Sequence, residues 1–345
     1  MGLTLHIGFD FWGAGNLGDD LMLAGFQEWL LARRPEWRIS ALCAHDIAAM
    51  RLRFPGIRWF PADPDSRAEA LRQADAWVGL GGGVFQIEVG TWILDQMLAD
   101  MTAARARGLK TFLVGVGVNN RAALETVQAR RIHTLAEAIW LRDSACLDMA
   151  LSCGFSADKT HLGADTAHLH CATAPTPRLR EGTAFVIHAS PTDVAETAFL
   201  EAGPRARRPG AWVCQEYRPI PDSELLLHQS ASPEFQSALP LLRPSYPTAT
   251  VAELHAAVAG WQRVVSSRFH TSLAAAWAGA AVAIFERNDK LRAIREDLGC
   301  ERCARLDDAD ELARALESAR PIARPRLDAC LDRTERMMRD FVSAL

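Results

Sequence analysis

Through its first 165 residues the chain alternates short apolar runs with segments of helical period, and no other feature narrows its fold as much. The runs 3–10, 37–43, 57–61, 75–80, 110–118, 138–142 and 159–164 have the length of strands. Stretches such as DDLMLAGFQEWLLARR and TWILDQMLADMTAARARG fill the gaps, the second closed by Gly108 as a C-cap. Parallel strands need crossover connections of this kind, so the pattern predicts an open, doubly wound α/β sheet.

The alternation breaks at 171–183, CATAPTPRLREGT, where two prolines and mixed charges mark an interdomain linker. It then resumes. TAFVIHAS, AWVCQEY, RVVSS and AVAIF read as strands, and DSELLLHQ, VAELHAAVAGW, TSLAAAWAGA and KLRAIREDLG as helices. The expected organisation is a Rossmann-like domain over 1–170, the linker, a second Rossmann-like domain over 184–322, and an amphipathic helix over 323–345 that packs back on the first domain. A chain of 345 residues is long enough for two such cores. Sheets of this type bind ligands beyond the carboxyl ends of their strands, which directs the search to strand exits lining a cleft between the domains.

Composition removes several function classes. The formal net charge of −4 leaves no basic excess for nucleic acid. The most lipid-like run, SLAAAWAGAAVAIF at 272–285, is too short to span a bilayer, and MGLTLHIGFD reads as a first strand rather than a signal peptide. A cytoplasmic protein without a membrane span is expected. The eight cysteines lack the spacing of a disulfide framework, and the one C-x-x-C, Cys300 and Cys303, has no second ligand pair nearby, so no metal is expected.

Four strand exits carry candidate chemistry. In GFDFWGAGNLGDDLML, Gly13, Gly15 and Gly18 permit unusual backbone and close approach, Asn16 tolerates the left-handed region, and Asp19 and Asp20 open a helix. One aspartate can serve as a cap, which leaves the second unexplained. In WVGLGGGVFQ, Gly81, Gly82 and Gly83 turn a strand into its successor, either as a plain tight turn or with backbone N–H groups offered to an anion or sugar. In AIWLRDSAC, Asp143 reads as an N-cap, and Arg142 as either a planar fork for a carboxylate or phosphate or a structural ion pair. In VVSSRFHTSLAAAWAGAAVAIFERNDK, Arg268 and His270 leave one strand, a helix begins near Thr271, and Glu286 and Lys290 follow the next strand. Cations, a titratable imidazole and a helix N-terminus together suit an anionic substrate that needs proton transfer, the alternative being a core histidine beside a surface arginine.

Taken in order, GAGNLGDD, GGGVFQ, RDSA, GADTA, SRFHTSLAAAWAGA and ERNDK resemble the motifs of the polysaccharide pyruvyl transferases, from Gly13 to Lys290. The resemblance implies a GT-B-like fold of two Rossmann-like domains. It also implies transfer of the pyruvyl group of phosphoenolpyruvate onto two hydroxyls of a sugar as a ketal, with release of phosphate, in glycan or exopolysaccharide synthesis. Phosphoenolpyruvate is then a co-substrate, no cofactor is expected, and the other partner is a sugar or glycan acceptor, lipid-linked or free. By motif, Arg268 and His270 fall on the donor-site arginine and histidine. His270 becomes the general acid, Asp19 or Asp20 the base on the facing domain, and Arg268, Arg142, Lys290, Thr271 and His188 the donor contacts. Gly15, Asn16, Gly18, Gly82, Gly83 and Gln86 are assigned to the acceptor.

The chain departs from the family where His188, in FVIHASP, stands in place of an arginine, and residues 192–250 match poorly, with Arg218 and Asp222 as the replacements on offer. An unusual acceptor such as a small metabolite fits that departure, and Trp92 and Trp212 are aromatic surfaces on which a sugar could stack or ordinary core. Two competing functions use the same architecture: a glycosyltransferase taking a nucleotide sugar, with Glu286 on the ribose, and a binding protein that has lost catalysis.

Overall fold

The computed structural model describes residues 2–9, 11–88, 90–186, 210–213, 241–242, 250–286, 289–303 and 309–345. Its first sheet is built from β1 (Thr4–Ile7), β2 (Arg38–Cys43), β3 (Ile57–Pro61), β4 (Ala76–Leu80), β5 (Lys110–Val116), β6 (Ala138–Leu141) and β7 (Thr160–Leu162). These seven strands run in the order β3-β2-β1-β4-β5-β6-β7, all parallel. The crossovers hold α1 (Leu17–Arg33), α2 (Ile47–Arg53), α3 (Pro64–Arg72), α4 (Trp92–Ala106), α5 (Arg121–Leu124), α6 (Val127–Leu135) and α7 (Ser144–Ser152). After β7 comes α8 (Ala167–Thr173).

The second sheet contains β8 (Arg180–Val186), β9 (Gly210–Val213), β10 (Leu241–Leu242), β11 (Trp261–Ser266), β12 (Ala281–Phe285) and β13 (Glu301–Cys303). Its order, β10-β9-β8-β11-β12-β13, repeats the doubly wound topology of the first sheet, again all parallel. The described helices here are α9 (Val251–Ala259), α10 (Phe269–Trp277), α11 (Asp289–Leu298) and α12 (Ala309–Ser318), and α13 (Arg324–Ala344) ends the chain. In each sheet the order reverses beside the first strand, between β1 and β4 and between β8 and β11, and ligands of such sheets bind at that reversal.

Burial on both faces explains why the central strands read as unbroken apolar runs. Every residue of β4, β6 and β12 is buried, and β5 exposes only Lys110. Successive side chains divide between the faces. Leu113 and Leu141 join the core formed with Met97, Met101 and Ile132. Their neighbours Phe112 and Trp140 meet Phe341 of α13, at ring separations of 5.4 and 6.2 Å, and Phe26 of α1 reaches the same ring at 5.9 Å. The helices start on local signals: Asp46, Asp63, Asn120 and Thr126 each accept a backbone N–H three residues on, Pro64 occupies the first turn of α3, and Thr250 with Glu253 forms a capping box on α9. After α4, Gly108 takes φ +78°, as a C-cap glycine does.

Several boundaries differ from the sequence reading. β1 stops at Ile7 rather than residue 10, because Phe9 turns the chain into the left-handed region at φ +67°, held by stacking on Phe11 and an edge contact with Trp77. β8 begins at Arg180, inside the stretch read as linker, since Arg180 N–H bonds to Gly260 and draws the strand in early. α3 and the short strand β13 have too little apolar content to stand out in sequence. The helix expected at DSELLLHQ lies outside the described residues.

The chain divides into two compact units: Met1–Gly13, Met22–His170 and Cys330–Leu345 form one, and Ala14–Leu21 with Cys171–Ala329 the other. Residues 14–21, read from sequence as part of the first domain, therefore group with the second.

A buried histidine in the first sheet gives a test of the fold's pH response. His6 on β1 is 1% exposed, its Nδ1 lies 3.0 Å from Ser40 Oγ, and burial, reinforced by the Arg67 charge, lowers its pKa to about 3. Unfolded, the ring protonates near pH 6.5, so between pH 6.5 and 3 the unfolded chain binds the extra proton. Stability should therefore fall as pH drops through this window, with a slope from His6 of up to about 1.4 kcal/mol per pH unit. Urea melts of wild type and His6→Asn between pH 7 and 4 check this; a mutant with the wild-type slope would contradict it.

Candidate active site

The segment between β1 and α1 is shaped by glycine and asparagine. Gly13 and Gly15 adopt φ +85° and +80°, a turn that a side chain at either position would strain. Asn16 then caps α1: its Oδ1 accepts from Gly18 N–H at 3.0 Å and its carbonyl from Asp19 N–H at 3.1 Å. The cap is thus Asn16, and Asp19 and Asp20 occupy the first helical turn, where negative charge is favoured by the helix dipole. Asp20 is only 2% exposed; Asp19 is half-buried.

The same unit carries the exit of β11. Ser267 N–H continues the ladder to Val186 O at 3.0 Å, after which Ser266 Oγ accepts from Arg268 N–H at 2.9 Å and donates to the Arg268 carbonyl at 3.1 Å. Ser272 Oγ donates to that carbonyl as well, at 2.9 Å. These serines hold Arg268 in extended backbone at the N-cap of α10, with no side-chain cap placed over the first turn. Phe269, His270 and Thr271 make up that turn, all buried, with the His270 ring edge-on to Phe269 at 5.0 Å. Lys290 of α11 lays its ammonium 5.6 Å from the centre of the Phe269 ring, a cation–π contact. Arg268 and Lys290 are each half-buried.

Gly18 and His270 meet. A Cβ built on Gly18 would stand 2.1 Å from His270 Nδ1, 2.9 Å from Cγ and 3.0 Å from Cε1. The imidazole therefore occupies the space of the missing side chain, and Asp19 and Asp20 follow directly in the chain. Asp19, Asp20, Arg268, His270, Thr271 and Lys290 all fall in one unit, since Ala14–Leu21 groups with the residues that carry His270. The unit thus carries Arg268, Lys290, the N-terminus of α10, His270 and the carboxylates of Asp19 and Asp20, groups able to bind an anion and move a proton.

The remaining candidates divide differently. Arg142 does not stand open at the end of β6. It is 2% exposed, its guanidinium lies over Gly117, and its Nε is 3.5 Å from Asp143 Oδ2, while Asp143 Oδ1 caps α7 through Cys146 N–H at 2.8 Å. Arg142 lies in the first unit, as do Gly82, Gly83 and Gln86. Those three are half-buried, but Gly81 N–H bonds to Val114 O at 2.8 Å and Gly82 N–H to Met22 Sδ at 3.4 Å, so those two amides serve the fold. Glu286 is occupied by a close ion pair with Arg295, and its side chain is 6% exposed. Trp92 opens α4 and is 53% exposed. His188, Arg218, Asp222 and the Trp212 side chain lie outside the described residues. Among the described residues no three His, Cys, Asp or Glu side chains gather as they would around a metal ion, and no helix is long and apolar enough to cross a membrane.

Sequence reasoning missed the serine clamp on Arg268, the Phe269 platform under Lys290 and the Gly18 contact. The first had a visible signal in SSRFHTS, where serines flank the arginine at hydrogen-bonding distance along the chain. The other two join distant segments and had none.

The two doubly wound sheets define the class: the fold is GT-B-like. Over 99% of its length the chain superimposes on the UDP-N-acetylglucosamine 2-epimerase of Rickettsia bellii, with a TM-score of 0.64, 10% identity and 97% of that chain covered. The UDP-GlcNAc 2-epimerase of Methanocaldococcus jannaschii gives 0.62 at 11% identity, covering 99% of this chain and all (100%) of that one. Anabaena Alr3699/HepE, solved with UDP-glucose, gives 0.64 at 11% identity over 99% of both chains. At such identities the likeness is one of fold. No curated protein matches the sequence. The family model of the polysaccharide pyruvyl transferases matches residues 16–289, most of the chain, and the protein belongs to that family.

Proposed function

We propose that this protein transfers the pyruvyl group of phosphoenolpyruvate to two hydroxyls of a sugar, forming a ketal and releasing phosphate, with the sugar part of a glycan under synthesis. The observation that carries the reading is the β11 exit, where Arg268, His270 and the first turn of α10 lie inside the family match and the His270 ring lies against Gly18. The donor has a carboxylate and a phosphate, and Arg268, Lys290 and the N-terminus of α10 supply positive potential for them. His270 delivers a proton to the methylene carbon, which becomes the methyl group and leaves the central carbon electron-poor. One sugar hydroxyl adds there and gives its proton to Asp19. The bond from that carbon to the phosphate oxygen then breaks, and the second hydroxyl closes the ketal, its proton leaving on the departing phosphate as hydrogen phosphate. Arg142, buried against Asp143, is left out of this scheme.

The Methanocaldococcus jannaschii epimerase and HepE were solved with UDP or UDP-sugars, which makes a nucleotide sugar the alternative donor. The engagement of Glu286 by Arg295 argues against the ribose contact that this donor would require. A thermal-shift comparison separates the two: phosphoenolpyruvate should raise the Tm and UDP should not. With a panel of sugars, turnover should release phosphate and add to the acceptor the mass of pyruvate less one water. Stabilisation by UDP alone, with no phosphate released, would reject pyruvyl transfer.

A further inference from the structure

We infer that Gly18 is a positioning residue for His270: by lacking a side chain it admits the Nδ1 vertex of the imidazole against the first turn of α1, and this sets which ring nitrogen is presented for proton transfer. The inference rests on the pyruvyl-transfer reading for the reaction served, but the contact itself is independent of it. The three distances identify the vertex. Nδ1 is nearest to the Gly18 Cβ position, at 2.1 Å, and its two ring neighbours Cγ and Cε1 follow at the nearly equal distances of 2.9 and 3.0 Å. Only a ring pointing Nδ1 at Gly18 gives that pattern. Nε2 and Cδ2 therefore form the edge turned away from α1, and Nε2 is the nitrogen that hands over the proton. Gly18 is thus removed from the acceptor contacts and placed behind the acid.

The support for the ring is built from both sides. On the side of α10, the Ser266 and Ser272 bonds fix the Arg268 backbone just ahead of His270, and Phe269 meets the ring edge-on. From α1, the Asn16 cap sets the position of Gly18 through the Gly18 N–H bond. A methyl group at residue 18 would have to displace the ring by about 1 Å, since contacts under 3.0 Å are not tolerated, and a displacement of that size at a reacting group costs about 10²-fold in rate.

The test is Gly18→Ala in the full-length protein. We expect kcat to fall about 10²-fold with KM for phosphoenolpyruvate changed less than about threefold, and the His270 ring ¹⁵N resonances, assigned by their loss in His270→Ala, to move. A second measurement guards against simple misfolding: in a His270→Ala background the loss of Tm caused by Gly18→Ala should largely disappear, because the clashing ring is gone. Unmoved resonances together with an equal Tm loss in both backgrounds would overturn the positioning role, whether or not the wild type turns over. A wild type that performs no pyruvyl transfer, yet shows moved resonances and a non-additive Tm cycle, would overturn the reaction and leave the positioning of His270 by Gly18 standing.

Discussion

His270→Asn is expected to lower pyruvyl transfer about 10²- to 10⁴-fold, the range for loss of one general acid, while phosphoenolpyruvate still binds. The ring is 7% exposed, in the first turn of α10, with Arg268 at the N-cap and Lys290 over the adjacent Phe269. Those cations are untouched by the substitution, so the donor's two anionic groups keep their partners and only the proton source is removed. Steady-state phosphate release gives kcat, and calorimetric titration with phosphoenolpyruvate gives Kd, which should stay within about threefold. A mutant that keeps more than a tenth of the wild-type kcat would remove His270 from the role of acid, and a matching loss of Kd would recast it as a binding group.

The second large effect is expected at Asp19. Asp19→Asn should reduce kcat about 10²-fold by removing the base, again with phosphoenolpyruvate affinity nearly unchanged. Asp20→Asn should act first on stability. The distinction comes from burial: both carboxylates lie in the first turn of α1, but Asp20 is 2% exposed and Asp19 half-buried, so a sugar hydroxyl has access to Asp19. Asn keeps the shape and loses the charge, and the cost in dipole interaction at a helix start is about 0.3–1 kcal/mol. Parallel measurements of kcat and Tm for the two variants decide the assignment. Equal losses of kcat with unchanged Tm would show that the carboxylates act together and that burial does not separate them.

The local level of this structure is readable in one dimension. Strands buried on both faces need continuous apolar residues, helices need a 3.6-residue period, and caps need Asp, Asn or Thr, so β3 over 57–61, β12 over 281–285 and the cap at Asp143 follow from short windows. Where composition is weak the reading fails. α3, PDSRAEALR, has only Ala70 and Leu71 buried, and β13 is three residues long. At the candidate site the β11 exit is legible because Arg268, His270 and Lys290 are chemically conspicuous. Arg142 is equally conspicuous, but a guanidinium buried beside Asp143 and an open one have the same sequence, so its burial was not legible there.

By itself, then, the sequence determined the two parallel sheets, the strand exits at which polar side chains emerge, and the motif order shared with the pyruvyl transferases. Periodicity and composition report whether each side chain is buried, and that suffices for layers and exits. Only the tertiary structure decided that Asn16 caps α1, that Arg142 is buried in the first unit, and that the segment from Ala14 to Leu21 belongs with the second. The reason is that these are matters of which distant segment fills a given space. The GNLGDD turn and the SRFHTS helix start are each complete as local structures, and nothing in either announces the other. Their meeting is visible only when the missing side chain of Gly18 is found to be the place of the His270 ring.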